Sequence, residues 1–263
     1  MHTWDPDRYL TYADERGRPY VELLARIEAV QPRRVIDLGC GPGNLTALLG
    51  RRWTGADVVG IDSSAEMIEA ATRSHDGAAT FEVGDLRSWR APEGGVDVVV
   101  SNATLQWLPD HLELLPQLVS QVRAGGWFAF QVPGNFEEPS HIIRNELAGE
   151  AAYAEHTGGV AVPDSHDPAT YLEALVALGC TVDAWETTYL HVLTGDDPVF
   201  AWVSGTSARP TLQALPAGLR EDFEAEFRTR LRAAYPRHRN GVVLPFRRIF
   251  VVARVPSSST AER

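Results

Sequence analysis

VIDLGCGPG, Val35 to Gly43, is the stretch on which the fold turns. A short β-branched and apolar run passes through one acid, Asp37, into a loop with glycine at every second position. This reads as a buried strand running straight into a loop made almost wholly of backbone. Without a Cβ at Gly39, Gly41 and Gly43, that loop can take positive φ and let a ligand lie directly against the main chain.

Downstream, Val58-Val59-Gly60-Ile61 reads as a second buried strand and ends in Asp62, 25 residues after Asp37. A carboxylate at the tip of a second parallel strand is where doubly wound sheets hydrogen-bond a ribose diol, so a nucleoside is the expected ligand. The glycine spacing separates two nucleoside classes. A dinucleotide fingerprint, G-x-G-x-x-G, needs a third glycine where this chain has Asn44, and the actual spacing is G-x-G-x-G. Asp37 stands two residues ahead of the first glycine, where it would repel a pyrophosphate. S-adenosylmethionine has no phosphate and offers an ammonium and a sulfonium to a carboxylate, so the expected cofactor is S-adenosylmethionine.

The chain has 263 residues, 44% of them hydrophobic, enough for one sizeable core. Its start, MHTWDPDRYL, lacks a basic and apolar leader, and no run approaches the roughly 18 apolar residues of a membrane span. These features predict a cytoplasmic protein with no membrane partner. A formal charge of -11 argues against nucleic acid, whose binding requires clustered Lys and Arg. Cys40 and Cys180 have no spacing suited to zinc or to a disulfide framework and read as small buried fillers. No paired acids are spaced to hold a divalent metal. Nothing points to a particular oligomeric state.

Strand and helix signals alternate along the chain. A helix is expected over 19–30, with Pro19 in its first turn, and another over 45–52. Ser63 and Glu66 fit a capping box opening a helix to Ser74. Further strands are expected at 80–83, 96–101 and 127–132, the second nearly continuous valine, with a helix at 111–122 between the last two. Five β/α units in series imply an α/β fold: a doubly wound, mostly parallel, seven-stranded Rossmann-like sheet, with its crevice at the carboxyl ends of the strands. After Asn135 helical segments interrupt the late strands. One domain is expected, with cap helices in 1–30, a sheet core in 31–134 and 180–255, a helical lid in 135–178 and 196–240, and a disordered tail at 256–263. A lid of this kind is where substrate choice is expected to reside.

VIDLGCGPGNLT, GIDSSAEMI, the acid at Asp85 and SNATLQWLPDH together resemble the class I S-adenosylmethionine-dependent methyltransferases. With WDPDRYLTYADERGRPYVELLARI, VDAWETTYLHVL and FRRIFVVAR added, the chain is similar to the trans-aconitate 2-methyltransferase family over nearly its whole length. It departs from that pattern around Ala151 to Asp167. The resemblance implies that Asp37, Gly39 and Gly41 hold the methionyl end of the cofactor and Asp62 the ribose hydroxyls. Asp85 with Leu86 would meet the adenine and Met67 would pack on its ring, while Asn102 would sit beside the transferring methyl group. Tyr12, Asn44 and Ser63 complete the expected cofactor set, and S-adenosylhomocysteine is the expected product.

The implied reaction sets its own requirements. A carboxylate is ionised at pH 7, about three units above its reference pKa, so it needs no base to act as nucleophile. It needs positioning, worth roughly 7 to 11 kcal/mol. Methyl transfer cancels charge, so apolar walls are expected, with Leu105, Trp107 and Trp202 as candidates. The other carboxylates of a tricarboxylate need cations. Arg16, Arg144, Arg209 and Arg247 are the candidate clamps, in that order, with Tyr9, Gln106 and His141 as neutral donors. His141 would become a general base only for a phenol or hydroxyl acceptor. The catalytic candidates are therefore Asn102, Gln106 and His141. Two competing readings are a nicotinamide-dependent oxidoreductase and a non-catalytic cofactor-binding partner protein.

Overall fold

The computed structural model describes residues 13–74 and 77–257, with side chains from residue 17 onward. Expectations for Tyr9, Tyr12, the Arg16 side chain and the tail beyond 257 lie outside those residues.

After helix α1 (Ala13–Ala25), the chain alternates in the order expected: β1 (Arg34–Leu38), α2 (Thr46–Arg52), β2 (Asp57–Asp62), α3 (Ala65–Ser74), β3 (Thr80–Val83) and β4 (Val96–Asn102). A short 3₁₀ turn (Leu105–Trp107), α4 (His111–Ser120) and β5 (Val122–Pro133) follow. Strand β1 pairs in parallel with β2 on one side and β4 on the other, placing Asp37 opposite Gly60 and Val100. Strands β2 with β3, and β4 with β5, are also parallel. With β6 (Thr181–Leu193) and β8 (Gly241–Arg254), the sheet order is β3-β2-β1-β4-β5-β8-β6, and the two-residue β7 (Arg237–His238) pairs antiparallel with β8. The order in which strands are added reverses between β1 and β4, so the crevice opens beyond the carboxyl ends of these strands. Residues Val96 to Ser101 of β4 are all buried, which explains their valine-rich run.

The described residues fall into two compact units. The sheet unit holds 13–132, 165–186 and 249–257. Its core gathers Ile36, Leu38, Val99, Leu115, Phe128, Phe130 and Ile249, which belong to strands and a covering helix far apart in sequence. Helix α7 (Pro168–Ala177), expected in the lid, belongs here instead, because Tyr171 and Leu175 are fully buried in this core. The Tyr171 ring meets Phe130 edge-on with centroids 5.0 Å apart. Its hydroxyl accepts the His166 N–H at 3.0 Å and pairs with His111 Nε2 at 2.7 Å. His111 Nδ1 faces the Leu108 carbonyl at 2.8 Å and donates to it, so in the neutral ring Nε2 accepts from Tyr171 and both nitrogens of the buried imidazole have partners.

The second unit comprises 133–164 and 187–248. It contains α5 (Pro139–Ala148), α6 (Ala154–Thr157), α8 (Pro198–Ser204), α9 (Arg209–Ala214) and α10 (Ala217–Ala234). Prolines open α5 and α8, where the missing N–H has no ladder partner to lose. Phe223, Phe227 and Leu231 form the buried stripe of α10, and Tyr153 meets Phe223 edge-on at 5.1 Å. Tyr235 caps α5 by accepting the Ser140 N–H at 3.0 Å.

Three local expectations change. The described part of helix α1 already runs from Ala13, so Pro19 lies inside it and forgoes one ladder bond, a cost offset by burial of Tyr20, Leu23, Leu24 and Ile27. Strand β5 starts at Val122, where α4 was expected still to run. Helix α9 lies inside the lid segment expected at 196–240 but was not singled out as a helix of its own. No helix among the described residues is long and apolar enough to cross a membrane.

Candidate active site

The carboxyl ends of β1, β2 and β4 bring most of the expected cofactor residues into the sheet unit together. Asp37 is 2% exposed, and its Oδ2 accepts both the Thr46 hydroxyl at 2.7 Å and the Tyr20 hydroxyl at 3.3 Å. Burial pushes its carboxyl up to about 6; the two hydroxyl donors oppose that rise, and the charge of Asp62 adds to it. No cation faces Asp37 among the described residues. The buried Cys40 thiol is pushed up by the same desolvation and by both aspartates, leaving it an inert filler.

The loop glycines do different work. At Gly39, with φ of 78°, a Cβ would collide with the Thr104 side chain, so this glycine serves packing between the β1 and β4 ends. At Gly41, with φ of 55°, a Cβ would meet nothing within 4 Å, which makes this the open face of the loop.

Asp62 has a second duty beyond the one expected. Its Oδ2 accepts the Gly41 N–H at 2.9 Å and its Oδ1 the Ser64 N–H at 2.9 Å, tying the glycine loop to the tip of β2. With the Ser63 N–H also directed at this carboxylate, it keeps acceptor capacity for a further hydroxyl donor. Ser64, not Ser63, caps α3: its Oγ accepts the Met67 N–H at 3.2 Å and its own hydroxyl donates to Glu66 at 2.7 Å. The expected capping box is therefore one residue out of step, because Asp62 takes the turn before the helix. Met67 is buried on α3 beside Ile68. Asp85 is exposed, with Oδ1 accepting the Arg87 N–H at 2.8 Å, and Leu86 behind it is buried.

At the end of β4, Asn102 has a buried Oδ1 with no partner among the described residues. Ala103 follows with φ of 54°, and it is the only non-glycine residue of positive φ among those described. Such a residue costs on the order of 1 kcal/mol and persists where the surroundings over-determine it. Gln106 Nε2 donates to the Ala103 carbonyl at 2.6 Å, and its buried Oε1 has no partner. Leu105 is fully buried and Trp107 half-buried. The strained turn thus holds two unpaired amide oxygens at the strand end.

The second unit collects a different set. Arg144 is 3% exposed yet has no carboxylate partner among the described residues. Its Nε and Nη2 donate to Asn145 Oδ1 at 3.1 and 2.7 Å, and its Nη1 to the Ser207 carbonyl at 2.6 Å. One N–H on each Nη therefore remains for a further acceptor. Burial lowers this guanidinium to about 10, which leaves it charged at neutral pH. His141, on the same helix, is buried against the Phe136 ring at 5.1 Å and lies 3.5 Å from Asn135 Nδ2. Desolvation, then the Arg144 charge, pushes its imidazole down to about 3. His141 Nδ1 and Asn135 Oδ1 are buried with no partner among the described residues. Arg247 pairs with Gly134, the neighbour of Asn135, through its carbonyl at 2.9 Å and its Nη1 at 3.5 Å. Trp202 is buried under the His191 ring at 4.8 Å, and Arg209 opens α9 half-buried.

Sequence reasoning did not assign Tyr20, Thr46, Thr104, Asn135, Asn145 or Ser207. Thr46 alone had a readable signal, a hydroxyl inside the otherwise apolar run LTALL after the loop. No group of three or more metal-ligating side chains occurs among the described residues.

Residues 11–183 match the methyltransferase domain family. The trans-aconitate 2-methyltransferase of Mycolicibacterium gilvum (strain PYR-GCK) is 52% identical over 256 residues, covering 96% of this chain and 99% of its own. That of Rhodococcus jostii (strain RHA1) is 49% identical, with the same coverage of each. Among solved structures, the YcgJ protein of Bacillus subtilis has a TM-score of 0.58 at 14% identity, covering 92% of this chain and 99% of that one, and shares the fold. Full-length identity near one half, together with the glycine loop, the two strand-tip aspartates and the sheet order, leads to one assignment: the chain belongs to the trans-aconitate 2-methyltransferase family of methyltransferases.

Proposed function

We infer that the chain esterifies one carboxylate of trans-aconitate, or a planar polycarboxylate of that class, using S-adenosylmethionine. Bound, this cofactor supplies a methyl group on a cationic sulfur and leaves as the neutral thioether S-adenosylhomocysteine. The residues fit such a group: Asp37 is a carboxylate with no cation beside it among the described residues, Gly41 presents open main chain, and Asp62 retains acceptor capacity for a diol. Asp37, Gly39 and Gly41 would hold its methionyl end, Asp62 and Ser63 its ribose, and Asp85, Leu86 and Met67 its base, with Asn44 and Asn102 alongside.

The carrying observation for an anionic acceptor is Arg144. A buried guanidinium with no carboxylate is costly unless a ligand anion completes it, and its two remaining N–H groups suit the two oxygens of a carboxylate. His141 is held neutral and too weakly basic to deprotonate a hydroxyl, so it serves as a hydrogen-bonding group. A carboxylate acceptor asks for nothing more, being ionised already. Asn102 and Gln106 would orient the reacting oxygen and methyl group, Trp107 and Trp202 would wall the site, and Arg209 and Arg247 are the further candidate clamps.

The test is a methyl-transfer assay with mass detection of the ester, run on wild type and Arg144→Gln. Wild type is expected to form a monomethyl ester of trans-aconitate and none of citrate. Arg144→Gln is expected to raise KM for the triacid by roughly 10- to 100-fold, the worth of one charge-assisted pair, with the dissociation constant of S-adenosylhomocysteine unchanged. An unchanged KM removes Arg144 from the site, and no ester from a wild type that binds cofactor overturns the assignment of the acceptor.

A further inference from the structure

One buried contact at the head of the sheet unit is left over from the cofactor set. Tyr20 lies on α1 with no exposed surface, packed beside Leu23, Leu24 and Ile27. Those aliphatic neighbours already supply the apolar face of the helix. A phenylalanine would fill the same space, yet the chain places a hydroxyl there and aims it 17 residues ahead at the Asp37 carboxylate.

The geometry at Asp37 is one-sided. Tyr20 and Thr46 come from different helices and both donate to Oδ2, at 3.3 and 2.7 Å. Two donors converging on one oxygen stop the carboxylate from turning about its Cβ–Cγ bond, so Oδ1 keeps one direction. Among the described residues, the other ionisable groups facing Asp37 are the Cys40 thiol in the loop and the Asp62 carboxylate at the tip of β2. Neither donates to it. Asp62 opposes its charge, and the thiol stays protonated. The two hydroxyls are therefore what favours the charged, oriented form over the protonated one.

We propose that Tyr20 is a positioning residue for the cofactor: with Thr46 it locks Asp37 in one orientation and so sets both the strength and the pH range of nucleoside binding. The role rests on the reading of Asp37 as the partner of the cofactor's cationic end. It makes α1, remote in sequence from the glycine loop, part of the binding machinery without touching the ligand.

Calorimetric titration of S-adenosylhomocysteine into wild type, Tyr20→Phe and Thr46→Val, from pH 5.5 to 8, tests this. Wild-type affinity is expected to fall as pH drops through about 6, where Asp37 gains its proton. Tyr20→Phe keeps the ring and loses the hydroxyl. Its midpoint is expected to move up by about one pH unit, weakening binding roughly eightfold at pH 5.5, about threefold at pH 6.5 and hardly at all at pH 8. Thr46→Val is expected to move the midpoint in the same direction, which keeps the test intact if Tyr20→Phe fails to fold. A uniform loss at every pH, or a midpoint identical to wild type, overturns the role of Tyr20. Failure of the wild type itself to bind S-adenosylhomocysteine overturns the cofactor reading, and this proposal with it.

Discussion

Asp37 in the sheet unit and Arg144 with His141 in the second unit are buried to the same degree and carry opposite signs. Burial acts on both in the same sense, against charge: it lifts the Asp37 carboxyl to about 6 and lowers Arg144 to about 10 and His141 to about 3. For Asp37 this is a cost on the order of 3 kcal/mol relative to the neutral acid, a large fraction of a domain's net stability. Neither centre has a protein counter-ion among the described residues. One is dressed with hydroxyl donors, which suits a carboxylate awaiting a cation. The other is dressed with carbonyl and amide acceptors, which suits a guanidinium awaiting an anion. A chain that keeps uncompensated charge inside keeps it for a ligand, and the sign names the ligand end.

The largest effect that would break this contrast is in Asp37→Asn. Cofactor affinity is expected to fall by roughly 100-fold or more, as for a buried charged partner removed, while the melting temperature at pH 7.5 holds or rises because a buried charge is gone. Parallel losses of binding and stability would mean that Asp37 is a structural acid and nothing else. Next comes the glycine pair. Gly39→Ala brings positive φ and a collision with Thr104, and a loss of about 2 to 4 kcal/mol of stability is expected in denaturant unfolding. Gly41→Ala brings strain without collision, so about 1 kcal/mol is expected, with its main damage in cofactor affinity. Equal stability losses would refute the division between packing glycine and ligand-facing glycine.

The smallest effect is in the pH dependence of stability, where the two units should pull in opposite directions. Asp37 has a raised folded pKa, so its contribution is full below its unfolded value near 3.8 and is lost as pH rises through about 6. His141 has a depressed folded pKa, so its contribution is present above 6.5 and is lost as pH falls toward 3. Between pH 4 and 6 the two oppose each other. On acidification across that window, His141→Gln should lose less stability than wild type, and Asp37→Asn more. Urea unfolding at successive pH values reads both, and a shared direction would dissolve the contrast.

How far the chain could be read in advance differs between the same two units. Strands β1, β2 and β4 were legible because buried valine and isoleucine runs bounded by glycine and aspartate have few other uses. In the second unit α9 was not separated from the rest of the helical segment expected at 196–240, since RPTLQA is too short to show a period. Placement of α7 with the sheet core, and not with the lid, also escaped, because its buried Tyr171 and Leu175 look the same from the sequence whichever surface they meet. Ser63 and Ser64 are adjacent and chemically identical, and only the turn taken by Asp62 decides which of them caps α3.

By itself the sequence determined the parallel sheet, the backbone loop at its switch point and the two acids at the strand tips, since these depend on local periodicity and on spacing along one chain. Tertiary structure alone decided which hydroxyls converge on Asp37, that Asp62 also braces the loop, and that Arg144 lies buried with no carboxylate partner among the described residues. Burial and hydrogen-bond partners arise from residues distant in sequence, and no local pattern encodes the dielectric or the donor that a side chain finally meets.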